Sequence, residues 1–481
     1  MSTVLAFDFG ASSGRGIKAV FKDGRLTYEE IHRFTNVPVE RDGTLCWNFE
    51  ELLGEVHTGI NKAGSFDSIG FDTWGVDFAL LDKDGWLLES PVHYRDGRTN
   101  GMAKKAQDVL DPDTLYEQTG NQIMDINTLY QLLALREQHP SLYAKAGKLL
   151  FLPDLFAYSL GADPVCEYTI CSTSQMFNIA SRGWSGKVLD AFGIPAGLFP
   201  PFVHCGTVTG RYRNAKIIAV AGHDTQCAAA ALLCTEEESS RSVFLSCGTW
   251  SLIGTELDEP VLSPESRQAG LSNELGANGK VNYLKNIIGL WLIQESRREW
   301  RRQGKDYSFN DLERFASEAQ PRRSFIDPDD PVFVPAGNIP ERIAAYCRRT
   351  GQPAPLTPGE TMRCIYESLA LKYRFAVKQL AEATGKEFAQ IHILGGGARD
   401  ETLCRMTADC CGLPVTAGPV EATALGNILT QLVALGDIQS IAAGRKLLME
   451  TERLRTYEPE NSADWNGSFA AFTTLLSSKH T

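Results

Sequence analysis

The chain has 481 residues, of which 43% are hydrophobic and 22% are charged, a composition that is ordinary for a globular protein and argues against disorder. Its length predicts two or three domains. A formal net charge of −12 argues against nucleic acid or an anionic membrane as a partner, because nothing in the overall charge attracts phosphate.

The sequence carries no recognisable targeting signal. Residues 1–9 contain no basic segment followed by an apolar one, and no run approaches the ~18 apolar residues of a membrane span. The 12 cysteines include no Cys-x-x-Cys pair, so the usual zinc-ligand spacing is absent. We therefore expect a cytoplasmic protein with free, mostly buried thiols and no membrane partner.

The first predicted elements are strands joined by short turns. Alternation over residues 4–9 predicts a strand, Gly10 to Gly14 a tight turn, and residues 15–21 a returning strand. The next elements along the chain are predicted strands at 26–31, 68–72 and 76–81, a mostly helical region at 100–160, and a buried strand at 217–221 followed by a small-residue helix.

Near the middle of the chain the opening pattern returns. Residues 242–246, the Gly248-Thr249 turn and residues 250–255 repeat the order of strand, polar turn and strand. Such a repeat predicts two similar halves whose polar turns face a cleft between them. We place the boundary in the polar run Glu236–Ser240, which gives an N-terminal domain of residues 1–240 and a C-terminal domain of residues 241–481 that ends in a helical segment.

The second half has strong helix signals of its own. Thr357-Pro-Gly-Glu360 is a capping box that opens a predicted helix ending at Gly385. The elements after it are a strand at 391–394, a turn at Gly395–Gly397, a helix at 400–411, a strand at 415–417 and a helix at 421–435. The fold class predicted for both halves is therefore α/β.

Several well-known motifs are excluded. The chain has no Walker P-loop and no His-Glu-x-x-His, and Gly395–Gly397 lacks the third glycine of a dinucleotide fingerprint. Gly10-Ala-Ser-Ser-Gly14 matches the nucleophile elbow of hydrolases, but a strand follows it where the elbow requires a helix. The hydrolase interpretation is therefore rejected.

The same turn suits phosphate binding. Small residues allow a close approach to an anion, Ser12, Ser13 and backbone N–H groups can donate to it, and Arg15 adds a positive charge. Asp8, at the end of the first strand, could hold Mg²⁺ at those phosphates through water. The alternative is an ordinary β-turn, and the matching turn at Thr249 favours the phosphate interpretation.

Two further segments have both a functional and a structural interpretation. Asp224 follows a buried strand and opens a helix, so it is either a helix cap or a carboxylate that takes a proton from an attacking hydroxyl. The segment 72–77 places Asp72, Trp74, Gly75 and Asp77 at one bend, which is typical either of a sugar pocket or of a core tryptophan beside a turn.

Taken together, these segments resemble the FGGY carbohydrate kinases of the actin-like ATPase superfamily. The resemblance rests on Asp8–Gly14, on Gly248-Thr249 and on Gly395–Gly397. Five further motifs resemble one branch of that family, and they occur in order at residues 71–78, 94–100, 246–251, 284–291 and 417–422. The implied fold is two actin-like, ribonuclease H-like domains with a catalytic cleft between them.

The resemblance also implies an activity, namely transfer of the γ-phosphate of ATP to the 1-hydroxyl of L-rhamnulose with Mg²⁺ and with Asp224 as general base. The positions that match the family's ATP contacts are Ala11, Ser12, Ser13, Gly14, Arg15, Thr249, Gln294 and Gly396. Those that match its sugar contacts are Gly75, His223, Asp224, Thr225 and Asn286.

Other functions stay open at this point. A kinase for another ketose, such as L-fuculose or L-xylulose, differs only in pocket geometry. An ATPase of the same superfamily that drives a protein partner would need an added partner-binding segment, which we do not find. A non-catalytic sugar sensor is disfavoured by the presence of Asp224 and of both phosphate turns. The absence of an obvious coiled coil favours a monomer.

Overall fold

The computed structural model describes residues 1–477, and its strands follow the alternating segments at the start and in the middle of the chain. The strands are β1 (Ser2–Phe9), β2 (Ser13–Lys22), β3 (Arg25–Thr35), β4 (Val39–Arg41), β5 (Thr44–Cys46), β6 (Ser68–Thr73), β7 (Phe78–Leu81), β8 (Lys148–Phe151), β9 (Cys166–Glu167), β10 (Phe177–Asn178), β11 (Gly183–Trp184), β12 (Phe202–Val203), β13 (Val208–Tyr212), β14 (Ala215–Ile218), β15 (Ser242–Cys247), β16 (Trp250–Leu257), β17 (Ser272–Leu275), β18 (Val281–Ile288), β19 (Gln390–Leu394), β20 (Val415–Ala417) and β21 (Arg455–Tyr457).

The helices are longest in the second half of the chain. They are α1 (Phe49–Ala63), α2 (Met102–Ala106), α3 (Pro112–Thr119), α4 (Thr128–Gln138), α5 (Pro140–Tyr143), α6 (Leu152–Ser159), α7 (Tyr168–Cys171), α8 (Gly186–Phe192), α9 (Asp224–Ala230), α10 (Glu236–Ser240), α11 (Pro264–Gln268), α12 (Trp291–Arg302), α13 (Phe309–Glu318), α14 (Ile339–Arg349), α15 (Pro358–Thr384), α16 (Glu401–Cys411), α17 (Ala422–Leu435), α18 (Ile441–Thr451) and α19 (Asn466–Ser477). Among residues 1–477, no helix is long and apolar enough to cross a membrane.

The chain forms two compact units, each assembled from separate stretches of sequence. The first unit comprises Met1–Glu236, Glu256–Leu284 and Ala422–Thr451. The second comprises Glu237–Thr255, Lys285–Glu421 and the described residues from Glu452 onwards. The division at residues 240 and 241 stays a prediction; Glu256–Leu284 and Ala422–Thr451, which it assigns to the second domain, pack in the first unit.

The sheet of the first unit has the strand order β13-β14-β6-β1-β2-β3. β1 is antiparallel to β2 and parallel to β6, and its side chains from Val4 to Phe9 are all buried. Strands buried on both faces read as continuous apolar runs, which is the pattern of β1 apart from Asp8. The carboxyl ends of β1 and β6 therefore bring Asp8 and its register partner Asp72 to one edge of the sheet.

The second unit repeats this arrangement. β15 is antiparallel to β16 and parallel to β19, just as β1 is to β2 and β6, and β20 and β21 continue the sheet beyond β19. The predicted repeat of strand, turn and strand is thus confirmed. The capping box at Thr357 is also present, and α15 ends before Gly385, which adopts a left-handed conformation as a helix cap.

Close helix packing explains why α17 belongs to the first unit. α17 packs on β1, β6 and α9, and a Cβ atom at Gly426 would lie only 1.8 Å from the backbone oxygen of Cys227 on α9. The helices can approach this closely because Gly426 has no side chain. The prediction of a mostly helical region at 100–160 is confirmed by α2 to α6, and within that region residues 148–151 form β8, which pairs with β7.

Candidate functional site

The first candidate phosphate turn lies between β1 and β2. Gly10 N donates to Ser13 O at 2.9 Å, and the backbone N–H of Asn36 donates to Ser12 O at 3.1 Å. Ala11, Ser12 and Ser13 are partly exposed, so a ligand can reach them. The turn is therefore closed on itself and braced from β3, and its outer surface is accessible.

Gly14 and Arg15 follow this turn on β2. A Cβ atom at Gly14 would lie 2.2 Å from the ring of Phe34, so the position requires glycine for packing. Arg15 stands opposite Asp8 in the β1–β2 register, and its Nε and Nη2 donate to Asp8 Oδ2 at 2.9 and 2.6 Å. The positive charge expected near the phosphates thus pairs with a carboxylate in this structure.

The carboxylates of three residues in the first unit interact electrostatically: Asp8, Asp72 and Asp224. Asp72 is fully buried, Asn427 Nδ2 donates to its Oδ2 at 2.7 Å, and its Oδ1 has no hydrogen-bond partner. Burial raises the pKa of Asp72 well above its usual range, the charges of Asp8 and Asp224 raise it further, and the Asn427 hydrogen bond opposes them. Asp8 and Asp224 therefore place Asp72 in a negative potential, which the charge of Arg15 partly offsets.

That potential bears on the predicted Mg²⁺ ion. Among residues 1–477, no group of three or more His, Cys, Asp or Glu side chains is arranged to hold a metal ion directly. A divalent cation that is held through water and phosphate oxygens fits the negative potential near Asp8 without needing three protein ligands.

The predicted base and its neighbours lie at the start of α9. Asp224 is the first residue of this helix, and its Oδ1 accepts a hydrogen bond from Thr225 N at 2.6 Å. The side chain of Asp224 is 29% exposed, whereas that of His223 is 8% exposed, and His223 Nε2 lies 3.4 Å from Asp224 Oδ1. Asp224 is therefore a carboxylate that solvent or a substrate can reach.

The pKa of Asp224 is raised to about 6. Burial is the main cause, the charge of His223 lowers the value, and the charge of Asp8 raises it. A carboxylate with such a pKa is ionised at neutral pH and is more basic than an ordinary aspartate, which is what general-base chemistry requires.

Gly75 lies next to His223 and is partly exposed. A Cβ atom at Gly75 would lie 3.3 Å from both His223 Nε2 and Thr173 Cγ2, so the lack of a side chain lets the backbone pack closely against His223. The next residue, Val76, has a φ of 68°, which is a strained conformation for a β-branched residue. The strain is held by two hydrogen bonds: Val76 N donates to Thr173 Oγ1, and Thr128 Oγ1 donates to Val76 O.

At the same bend, the contacts of Asp77 favour the structural interpretation, in which a core tryptophan lies beside the turn. Its Oδ2 accepts hydrogen bonds from the indole N–H groups of Trp47 and Trp74 at 2.6 and 2.8 Å, and Gln131 Nε2 donates to its Oδ1 at 2.9 Å. Asp77 and Trp47 are fully buried, and Trp74 is nearly so. Protein donors therefore occupy this carboxylate, which anchors two tryptophans.

We expect Asp77→Asn to lower the free energy of unfolding by about 1–3 kcal/mol, because the new amide would face the donor group of Gln131 or of a tryptophan. Thermal denaturation followed by tryptophan fluorescence measures the effect. The exposed Asp108→Asn is the control and should leave the midpoint unchanged. A variant as stable as the wild type would contradict the anchoring role.

The second candidate phosphate turn belongs to the second unit. Thr249 lies in the turn between β15 and β16, and its backbone oxygen accepts hydrogen bonds from Gly289 N and Trp291 N at 3.2 and 3.1 Å. Thr249 Oγ1 lies 3.4 Å from Gln294 Oε1 on α12. The structure thus brings together two of the residues predicted to contact ATP.

Gly396 lies in the loop that follows β19, next to the same turn. A Cβ atom at the neighbouring Gly397 would lie 2.3 Å from Cys247 Sγ at the end of β15, whereas a Cβ at Gly396 would meet nothing within 4 Å. The loop packs closely on the strand that leads to Thr249 and leaves open space above Gly396. Asn286, on β18, also belongs to the second unit and is partly buried.

The sequence analysis missed one carboxylate of this site, Glu274. It lies on β17, is buried, and its Oε2 is 3.0 Å from His223 Nδ1. The strand reads Ser-Asn-Glu-Leu, so its composition gives no signal that Glu274 is buried and requires a partner. Its distance in sequence from His223 gave no indication of the pair.

Family models match most of the chain. The N-terminal domain of the FGGY family of carbohydrate kinases matches residues 3–231, and the C-terminal domain matches residues 243–435. A rhamnulokinase from Bacteroides thetaiotaomicron is 39% identical over 482 residues, covering 97% of this chain and 98% of the relative. A rhamnulokinase from an Enterobacter species is 40% identical over 468 residues, covering 95% of this chain and 94% of the relative.

Solved structures share the fold. A xylulose kinase from Lactobacillus acidophilus has a TM-score of 0.81 at 16% identity, covering 99% of this chain and 98% of that one. A glycerol kinase from Plasmodium falciparum with ADP has a TM-score of 0.76 at 13% identity, covering 100% of this chain and 98% of that one. At identities this low, the similarity shows a common fold alone. That common fold confirms the predicted α/β class with two domains.

Proposed function

Because the chain belongs to the FGGY family of carbohydrate kinases, we propose that it transfers the γ-phosphate of ATP to the 1-hydroxyl of L-rhamnulose. The choice of sugar is supported by similarity over nearly the full chain to curated rhamnulokinases. The observation that carries the chemistry is the partly exposed Asp224 carboxylate, whose pKa is about 6, beside His223.

In this proposal Asp224 is the general base. As the hydroxyl oxygen attacks the γ-phosphorus, its proton moves to a carboxylate oxygen of Asp224, the new O–P bond forms, and the bond from phosphorus to the β-phosphate oxygen breaks. ADP leaves with that oxygen. Phosphoryl transfer depends mainly on positioning and charge neutralisation, so one base with a pKa near the working pH is sufficient.

We assign the acceptor sugar to the partly exposed backbone at Gly75, with His223 and Thr225 beside it and Asn286 as a further contact. The support in the first unit is geometric: Gly75 is partly exposed and lies against His223 Nε2. The assignment of Asn286 rests on the matched motif.

We assign the nucleotide to the two polar turns and the loop at Gly396. The residues in question are Ala11, Ser12, Ser13, Gly14, Arg15, Thr249, Gln294 and Gly396. Asp8 would hold Mg²⁺ through water, and the ion would neutralise charge on the phosphates. Arg15 would then exchange part of its pairing with Asp8 for contact with phosphate oxygens.

A cytoplasmic location is part of the proposal. It is supported by the state of the cysteines, since all 12 are free thiols and most are buried.

The proposed function is tested by ADP release from Mg-ATP against L-rhamnulose, L-fuculose, L-xylulose, D-xylulose, L-ribulose and glycerol. We expect kcat/KM for L-rhamnulose to exceed that for each of the other acceptors by at least about ten-fold. One pocket contact that only L-rhamnulose makes is sufficient for a difference of this size. Strong turnover of another ketose would replace the substrate and keep the mechanism. ADP release that no sugar changes would refute the kinase and favour an ATPase with a protein partner.

A further inference from the structure

His223 lies between two carboxylates of the first unit. Its Nδ1 is 3.0 Å from Glu274 Oε2 on β17, and its Nε2 is 3.4 Å from Asp224 Oδ1 on α9. The Nδ1 contact is an ion pair when the ring is protonated, and it is not an aligned hydrogen bond. Each ring nitrogen therefore faces a separate carboxylate, and Nε2, which faces Asp224, also lies next to the partly exposed Gly75.

Glu274 is itself fixed by polar side chains. Gln226 Nε2 donates to Glu274 Oε2 at 2.8 Å, and Ser272 Oγ donates to Glu274 Oε1 at 3.3 Å. Gln226 Oε1 in turn accepts from Asn282 Nδ2. A buried carboxylate with such support has one orientation, so its negative charge stays beside Nδ1 of His223.

The charges around the ring favour its protonated form. Burial by itself lowers the pKa of His223, but Glu274, Asp224 and Glu167 outweigh it, and the pKa is raised above its ordinary value. Glu274 faces the ring from β17, Asp224 from α9 and Glu167 from the N-terminus of α7. Asp8 on β1 and Asp72 on β6 interact with Asp224, the second carboxylate at the ring.

We propose that Glu274 is a positioning residue for phosphoryl transfer, which holds His223 protonated so that its Nε2–H can donate to Asp224 and to the acceptor oxygen beside Gly75. Glu274 touches no substrate and acts through His223. The inference rests on the proposed function for the identity of the reaction, whereas the pairing of Glu274 with His223 is independent of it.

The role follows from the chemistry of the acceptor hydroxyl. A protonated Nε2 can donate to the carboxylate of Asp224 before the reaction, which keeps that carboxylate ionised and oriented, and to a sugar oxygen once the acceptor is bound. A neutral ring with its proton on Nδ1 would instead present a lone pair to Asp224. The two acceptors would repel each other, and the base would lose its alignment.

The kinetic test is Glu274→Gln, which keeps the size of the side chain and can still accept from Gln226. We expect kcat/KM for the ketose to fall by roughly ten- to a hundred-fold, with KM for ATP unchanged. The alkaline limb of the pH profile should move to lower pH, because the ring loses its proton more easily. Glu259→Gln, the same substitution at an exposed residue of the same unit, is the control and should retain wild-type kinetics.

The second readout does not depend on turnover. Nuclear magnetic resonance of histidine-labelled protein follows the imidazole titrations, and His223→Gln identifies the signal of His223 among the eight histidines. In Glu274→Gln the pKa of His223 should fall. An unchanged titration, or a loss of kcat/KM with an unshifted pH profile, would overturn the proposal. If the wild type phosphorylated no sugar while the titration shifted as expected, the proposed function would fail and the pairing would stand.

Discussion

Asp224→Asn is expected to lower kcat by roughly 10²–10⁴-fold and to leave the affinity for ATP nearly unchanged. The variant removes the group that receives the hydroxyl proton. The residues assigned to ATP lie elsewhere, in the β1–β2 turn and in the second unit at Thr249, Gln294 and Gly396. The measurements are steady-state ADP release with saturating ketose and calorimetric titration with ATP in the absence of sugar.

Substitution by asparagine should leave the fold intact. The Oδ1 atom that accepts from Thr225 N at 2.6 Å is retained, so α9 keeps its first polar contact. Asp190→Asn, an exposed substitution on α8 of the same unit, is the matched control and should keep the wild-type kcat. If Asp224→Asn reached a kcat within about three-fold of the wild type, far less than general-base loss produces, Asp224 would not be the base.

The parts of the fold that were predicted from the sequence depend on local signals. The β1–β2 hairpin and its repeat at β15–β16 follow from alternation and from small polar turn residues, and α15 follows from its capping box. Each of these signals lies within a few residues of the element it specifies. The parallel partners of β1 and β15, which are β6 and β19, come much later in the chain, and no such local signal indicates these pairings.

The interleaving of the two units depends on contacts between distant residues. Asn427 donates to Asp72 across 355 positions in sequence, and Gly426 is needed because α17 crosses α9 at close range. A single sequence reports that Gly426 and Asn427 lie on a helix, but not which helix or strand they meet. The sequence around Glu274 likewise does not report which element this residue meets, so its pairing with His223 was not predictable.

The bend at residues 72–77 illustrates a second limit. Its composition suits both a sugar pocket and a packed core, and the structure divides the residues between the two. Asp77 holds Trp47 and Trp74 in the core, whereas Gly75 is partly exposed and lies against His223. Side-chain direction decides between the two roles, and composition does not report it.

The helix that carries Asp224 is also held at its other end. Arg445 on α18 donates from Nη2 to Ala229 O at 2.8 Å and from Nε to Ala230 O at 3.2 Å, which satisfies carbonyl groups at the end of α9. The same guanidinium donates to both carboxylate oxygens of Glu256, at 3.0 and 2.8 Å. The side chains of Arg445 and Glu256 are 4% and 5% exposed, so the pair is desolvated.

We expect Arg445→Met to lower the free energy of unfolding by about 3–5 kcal/mol, because it leaves the Glu256 carboxylate buried without its counter-charge. The effect is measured as the shift in the midpoint of urea denaturation. Arg348→Met is the control: Arg348 pairs with Glu341 on the surface of α14, where both side chains are more than half exposed, and the expected cost is at most about 1 kcal/mol.

A double variant separates the charge effect from the helix-capping effect. Glu256→Met combined with Arg445→Met removes both buried charges, so most of the lost stability should return. The carbonyl groups of Ala229 and Ala230 still lack their donor, and a residual cost of about 1–3 kcal/mol should remain. A double variant as unstable as Arg445→Met would show that the main role of Arg445 is to hold the end of α9, with the ion pair contributing little.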